Sequence, residues 1–318
     1  MNRPHRPARP SGLAPLAPRV LALAPDEGYN LTALPSLRLL RSNRPLARTP
    51  VLYDPGIVIV CQGRKRGYFG QRTFVYDANQ YLAVSVPVPF TMETDATEQE
   101  PLLALYLHLE FPLAAELALS IDRHGRRANE AEPRSMMSSP MDDAMHLSVL
   151  RLLQSLADPV EAGILGPQLL REVYYRILTG PQGPNLRAAL AMEGRFGNIA
   201  RALQRIHAAY DQPLSVAQLA AEAGMSAPSF HSHFKAVTCT SPMQYLKSTR
   251  LHQARLLMTQ EGMTAAAACH AVGFESTSQF NREFKRLFGL TPAREARRMR
   301  ESFAMPPRPA DARYVSSH

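Results

Sequence analysis

The hydrophobic period of the chain changes once, from short to long. From Thr49 to Glu110, apolar and β-branched residues come in short runs broken by turn residues. The runs predict strands at Ile57–Cys61, Phe74–Tyr76, Tyr81–Val86 and Leu102–Leu109, with turns at Gln62–Gly67 and Asp77–Asn79. Short strands at this spacing predict an antiparallel barrel or sandwich. Leu113–Leu119 opens a helix, and Ile121–Asp143 reads as a polar loop. Beyond it the period lengthens to about 3.6 residues. Leu147, Leu150 and Leu153 share one helical stripe, and Leu169, Val173 and Ile177 share another. Upstream, Leu31–Leu40 fits a short helix, and residues 1–28, rich in Pro, Ala and Arg, fit a disordered tail. Thr179-Gly-Pro-Gln-Gly-Pro184 marks a boundary. The remainder is helical up to a Pro-containing tail.

One device occurs twice in that helical remainder. GMSAPSFHSHFKAVTCTSP (Gly224–Pro242) and GFESTSQFNREFKRLFGLTP (Gly273–Pro292) both open with Gly, reach Phe-x3-Phe-Lys and close on Thr/Ser-Pro. Phe230, Phe234, Lys235 and Pro242 recur 50 residues later as Phe280, Phe284, Lys285 and Pro292. Each copy predicts two short helices around a Gly turn. In the first, Ser215 and Gln218 form a capping box and Ser226 caps the second helix; in the second, Ser276 and Gln279 repeat the cap and box. A phenylalanine pair at i, i+4 is the buried side of each second helix. Small residues around a Gly turn followed by a capped helix are the requirements of a helix-turn-helix, whose second helix enters a major groove. The helix between the copies, with Leu251, Ala254 and Met258 on one stripe, can hold two such heads on successive grooves, so one chain does what ordinarily needs a dimer.

Composition sharpens this. The net charge of the 318-residue chain is +9, and 13 Lys/Arg against 6 Asp/Glu between Phe196 and Arg300 place +7 of it on the repeat-bearing third. That concentration favours an anionic partner such as nucleic acid. Three cysteines, Cys61, Cys239 and Cys269, lie too far apart in sequence for a zinc site or disulfide framework and suit a reducing cytoplasm. No apolar run is long enough to cross a bilayer. Pro15, Pro18 and Arg19 break the apolar run near the N-terminus, so a signal peptide is not expected.

The repeat and its connecting helix carry a resemblance. Leu203–Arg300 resembles the DNA-binding domain of the AraC/XylS family of bacterial transcription regulators, above all in SPMQYLKSTRLHQARLLM (Ser241–Met258) and AVGFESTSQFNREFKRLFGLTP (Ala271–Pro292). The family's usual aromatic-Arg pair past the final Pro is replaced by Glu295-Ala296, and Pro228 stands in the first turn of the first recognition helix. The resemblance implies base-reading positions at Pro228, His231 and Ser232 in the first head and at Thr277, Ser278, Gln279, Asn281 and Arg282 in the second. Gln and Asn read adenine, and Arg reads guanine. Lys235 and Lys285 are expected on phosphates. Arg250 and Arg255 are divided evenly between phosphate contact and internal pairing. With no cation on its reading face, the first head is expected to discriminate less than the second.

YDPGIVIVCQGRKRG (Tyr53–Gly67), YLAVSVPVP (Tyr81–Pro89) and REVYYRILTGPQG (Arg171–Gly183) resemble the N-terminal domain of one AraC subgroup. The resemblance implies an α+β chain with a cupin-like antiparallel β-barrel and trailing helices over residues 29–184. An all-α DNA-binding domain follows over 195–300, with helix-turn-helix motifs at 215–237 and 264–287 joined by a connecting helix at 242–258; residues 301–318 form a tail. It implies an activator acting on promoter DNA with RNA polymerase, as a homodimer, under a small-molecule effector such as an alcohol or aldehyde. The expected effector lining is Tyr53, Val58, Val60, Cys61, Leu82, Val84, Leu105 and Leu107, most of which serve equally as core.

Other chemistry is disfavoured. His231 and His233 lie two apart on a helix and face different ways, so they are not a metal pair. Between Thr49 and Pro112 the only histidine is His108, so the ligand cluster of a cupin oxygenase is lacking and no cofactor is expected. Gly63-Arg-Lys-Arg-Gly67 lacks the phosphate-loop spacing and reads as a basic turn. Cys61 beside it is either a buried small hydrophobe or a thiol activated by those cations. An enzyme fused to a DNA-binding module and an architectural DNA-binding protein without an effector remain the alternatives. Catalytic ligands would mark the first, and absence of any ligand response the second.

Overall fold

The computed structural model describes residues 13–78, 80–124 and 131–302. Its first part is a sandwich of two antiparallel sheets. The six-stranded sheet has the order β1-β2-β9-β4-β7-β10. It is built from β1 (Gly28–Leu31), β2 (Leu37–Ser42), β9 (Leu102–His108), β4 (Gly56–Gln62), β7 (Gln80–Val84) and β10 (Met136–Pro140). The four-stranded sheet has the order β3-β8-β5-β6, from β3 (Leu46–Tyr53), β8 (Val88–Asp95), β5 (Arg64–Phe69) and β6 (Arg72–Asp77). Among the described residues no strand is shared between the sheets, so the expected barrel is open, while the α+β class holds.

β4 explains the layering. Its run GIVIVCQ is buried on both faces, because both faces are covered. Val58 and Val60 point between the sheets with Leu82, Val84 and Tyr106. Ile57, Ile59 and Cys61 point the other way, onto helices. Those helices are α1 (Ala17–Leu23), α2 (Phe111–Arg123), α3 (Asp143–Ser155), α4 (Pro159–Thr179) and α5 (Gly183–Leu190).

Several local expectations are corrected here. Residues 17–23 of the expected tail form α1, with Pro18 in its first turn, where proline is tolerated, and Val20 fully buried. Residues 1–12 lie outside the described part. Leu31–Leu40 is a β-hairpin rather than a helix. Pro35 interrupts the run, and Leu37 and Leu39 face one side while Arg38 and Leu40 face the other, a period of two. Arg64-Lys-Arg66 lies within β5, not in a turn, with alternating burial. The expected loop 121–143 contains β10 as an edge strand; residues 125–130 and Asn79 are not described. Past the Thr179–Pro184 break, α5 still packs Leu186 and Leu190 into the helix-covered core of the first module.

Among the described residues seven helices follow: α6 (Gly194–Ala208), α7 (Val216–Glu222), α8 (Ala227–Thr238), α9 (Pro242–Gln260), α10 (Ala265–Ala271), α11 (Thr277–Phe288) and α12 (Pro292–Ser302). Residues 303–318 lie outside the described part.

A candidate nucleic-acid interface

The two copies of the repeat fold alike. Each first helix ends in a glycine of positive φ, Gly224 at 64° and Gly273 at 79°. The next amide reaches back five residues, Met225 to the Ala220 carbonyl at 2.9 Å and Phe274 to the Cys269 carbonyl at 3.0 Å. A side chain at either glycine would force a strained backbone, so glycine sets the sharp turn. Ser226 and Ser276 cap the second helices, accepting from the Ser229 and Gln279 amides. The Ser215–Gln218 capping box is complete; at Ser276 only the serine half is made. The corresponding first helix of the second copy is capped by Thr264, which the sequence reading missed. The phenylalanine pairs superimpose in kind: Phe230–Phe234 and Phe280–Phe284 both have ring centroids 5.5 Å apart, at 52° and 54°.

α9 is the spine. It has 19 residues, about 28 Å at 1.5 Å per residue. Tyr245 and Leu246 near its start enter the core of α6, α7 and α8. Leu251, Ala254 and Met258 enter the core of α10 and α11. One rigid element therefore carries both heads.

Opposite the phenylalanines, Pro228, His231, Ser232 and Lys235 of α8 are exposed, as are Thr277, Ser278, Gln279, Asn281, Arg282 and Lys285 of α11. Arg250 is different. Its guanidinium donates to the carbonyls of Tyr210 at 2.6 Å, Gln212 at 2.9 Å and Gly273 at 3.0 Å. It clamps the α6–α7 connection onto the second turn, and is withdrawn as a DNA contact. Arg255 is internal too: 1% exposed, paired with the fully buried Glu295 at 3.4 Å and stacked on Phe288. Burial lowers Arg255 to about 10, against the opposing pull of Glu295. Arg298 also holds Glu295, at 2.8 Å. The Glu295-Ala296 departure thus has a structural meaning: a carboxylate stands there to meet a buried arginine. His252, beside Arg255, is pushed far below the usual imidazole range by burial and then by that cation, so it stays neutral. His233 lines a cleft shared with Phe69 and Arg72 of the sandwich.

The first head is bonded to the sandwich. Tyr245 donates to the Pro87 carbonyl at 3.0 Å while meeting His207 at 2.7 Å. The Ser135 hydroxyl donates to the Val237 carbonyl at 2.8 Å. On the outer face of the four-stranded sheet, Leu52 packs against Leu256 of α9. Beside that contact, a cleft of about 420 Å³ separates the sheet from α9 and α11.

The expected effector lining is divided by the pleat. Tyr53, Val58, Val60, Leu82 and Val84 lie between the sheets. Cys61, Leu105 and Leu107 lie on the opposite face, under the helices. On β9 it is Ala104 and Tyr106 that point inward. Burial raises the Cys61 thiol, which removes the idea of an activated thiolate. Cys269 is core, fully buried in the second motif. The sequence reading missed Lys65, Tyr76 and Tyr106 of the interior; tyrosines alternating with apolar residues in β6 and β9 were the available signal.

Two helix-turn-helix units on one spine, joined to a β-sandwich, define a two-headed DNA-binding regulator. Residues 33–185 match the family model of the AraC-type transcriptional regulator N-terminus, and residues 219–298 match that of a helix-turn-helix domain. The chain belongs to the AraC-type transcriptional regulators, a family of regulators rather than enzymes. It is 35% identical over 106 residues to the probable thc operon regulatory protein of Rhodococcus erythropolis, covering 32% of this chain and 31% of that one. It is 34% identical over 87 residues to the RCS-specific HTH-type transcriptional activator RclR of Escherichia coli, covering 27% and 31%. The match spans about a third of the length of these curated relatives. Fatty acid-bound ToxT from Vibrio cholerae shares the fold over 88% of this chain and 99% of its own, with a TM-score of 0.59 at 12% identity. No helix among the described residues is long and apolar enough to cross a membrane.

Proposed function

We propose that the chain binds promoter DNA through α8 and α11 in successive major grooves, under control of a small molecule held by its N-terminal module. The observation that carries this is the outer face of the two recognition helices. His231, Ser232, Thr277, Ser278, Asn281 and Arg282 are exposed on it, and no hydrogen bond or ion pair among the described residues engages their side chains. Arg282 and Gln279 dominate discrimination, Lys235 and Lys285 hold phosphates, and the first head reads mainly shape. The division into a sensing part, residues 29–184, and a DNA-binding part, residues 195–300, belongs to the same proposal. So do activation through RNA polymerase, assembly as a homodimer and action in the cytoplasm.

Control fits the packing. Tyr53 points into the sandwich, and its neighbour Leu52 points out onto α9. A change in the interior is therefore one residue from the spine that carries both heads. Selection of bound sequences from random DNA tests the proposal. A site with two elements about one helical turn apart is expected, and its guanine preference should vanish in Arg282→Ala. Binding unaffected by Arg282→Ala together with Gln279→Ala would overturn the assignment of the second head.

A further inference from the structure

The cleft that His233 lines has a volume of about 360 Å³ and opens where the first head meets the sandwich. Three arginines from separate parts of the chain converge on it: Arg72 at the start of β6, Arg134 just before β10 and Arg195 in the first turn of α6. All three are exposed, and no carboxylate among the described residues pairs with them. Elsewhere Arg66, Arg171 and Arg187 each have such a partner. Among the described residues that line the cleft the one acid is Glu132, so two positive charges stand uncompensated. Like charges gathered in a cleft repel one another and concentrate a positive potential there. The backbone beneath them is fixed. The Ser85 hydroxyl donates to the Arg134 carbonyl at 2.7 Å, the Ser85 amide to the Ser135 carbonyl at 3.0 Å, and the Asn185 side chain to the Glu132 carbonyl at 2.9 Å. Arg72 leans on the Phe74 ring, its guanidinium carbon 5.0 Å from the centroid. In the cleft beside α9, by contrast, Lys247 and Arg286 are already paired with Glu283.

The rest of the lining is apolar: Phe69, Met136 and Phe196 are each buried and form the floor. A neutral compound would leave the charges as they stand, and a monoanion would leave one of them. A compound with two negative charges and a small apolar part meets both the rim and the floor. Guanidinium suits such a ligand, because its fork holds two oxygens at once. We propose that this cleft binds a small organic dianion, a phosphate monoester or a dicarboxylate, held by Arg72, Arg134 and Arg195. Arg72 and Arg134 belong to the sandwich and Arg195 to the helical part, so the ligand joins the two. The Ser135–Val237 hydrogen bond already does so at the same place, as does the close approach of Gly70 to Cys239. The cleft is complete only while the first head is docked on the sandwich, so the dianion favours that arrangement over any other. The inference rests on the proposed effector control and gives its ligand a class and a place.

The test uses the full chain at about pH 7.5, where a phosphate monoester is close to doubly charged. Phenyl phosphate and phthalate are the dianions, benzoate the monoanion, benzyl alcohol the neutral control and inorganic phosphate the charge without an apolar part. Calorimetric titration and thermal melts read binding. At least one dianion is expected to bind about tenfold or more tightly than benzoate and to raise the melting temperature. The tighter of the two assigns the charged group, phosphate or paired carboxylates. Arg72→Gln, Arg134→Gln and Arg195→Gln should each weaken it by about three- to tenfold, and the triple variant should lose it. Arg19→Gln, at an exposed arginine of α1 outside the cleft, should leave it unchanged. Equal binding of benzoate, benzyl alcohol or inorganic phosphate, binding retained in the triple variant, or equal loss in Arg19→Gln would overturn the inference. So would weaker non-specific DNA binding with a shallower salt slope in the triple variant, which assigns the three arginines to DNA phosphates. Coupling to DNA is reciprocal, so operator and dianion should change each other's affinity by the same factor. The two levels separate cleanly. A compound that changes operator affinity equally in wild type and the triple variant leaves effector control standing and removes this site. A dianion held by the three arginines that leaves operator affinity unchanged keeps the site and removes the control.

Discussion

Glu295→Ala is the sharpest test of how the second head is held. Arg255 and Glu295 are 1% and 0% exposed and 3.4 Å apart. Removing the carboxylate strands a guanidinium that burial already lowers to about 10. Breaking a buried pair from one side costs about 3–5 kcal/mol, a large part of the 5–15 kcal/mol that stabilises a typical domain. At about 4–8 °C per kcal/mol for a domain of this size, the melting temperature of the helical segment should fall by at least about 12 °C. Arg298→Ala removes a partner that is 37% exposed and should cost under about 1 kcal/mol. Replacing both members, Arg255→Met with Glu295→Leu, should recover most of the loss, because neither charge is then left unpaired. The chain has no tryptophan, so calorimetry and far-ultraviolet circular dichroism are the assays. A loss below about 1 kcal/mol for Glu295→Ala, or equal losses at Glu295 and Arg298, would refute the reasoning.

Arg282→Ala is expected to cost about 1–3 kcal/mol of operator binding, concentrated at one guanine, and Ser232→Ala less; competition binding against single-base variants measures both. Phe280→Ala and Phe230→Ala should each destabilise by about 3–5 kcal/mol in urea melts, since both rings are buried to 1% or less. Arg250→Ala should loosen the turn at Gly273, read as faster amide exchange at Gly273 and Phe274, without lowering the salt dependence of DNA binding as loss of a phosphate contact would. Lys65 makes stability pH-dependent. Its amine titrates near 7 in the fold and near 10.4 unfolded, so the folded chain binds fewer protons between those values. Stability should rise with pH across that window by up to about 1.4 kcal/mol per pH unit, and the burial penalty is complete below it. Tyr53 and Tyr76, which face the amine, are raised by burial and stay neutral there. Lys65→Met should abolish that contribution in urea melts at pH 7 and pH 9.

The helix-turn-helix units were legible in the sequence because their signals are local. A serine cap, a glycine of positive φ and phenylalanines four apart each act within a few residues, and their repetition 50 residues on made chance agreement improbable. The sandwich was legible only in part. Apolar runs marked β4, β7 and β9, yet Leu105 and Leu107 were assigned to the interior where Ala104 and Tyr106 point. Alternation tells which residues share a face, not which layer covers it. Lys65 was hidden inside a run of three cations that resembled a turn; its burial follows from pairing with β6 and β8. Arg250 and Arg255 were left evenly divided because their partners lie 40 residues away in either direction. The sequence by itself therefore determined the local helical devices and the charge that suits DNA. Only the tertiary structure decided which cations are free to meet it and which are spent inside, because burial and ion pairing depend on contacts that no short stretch of chain contains.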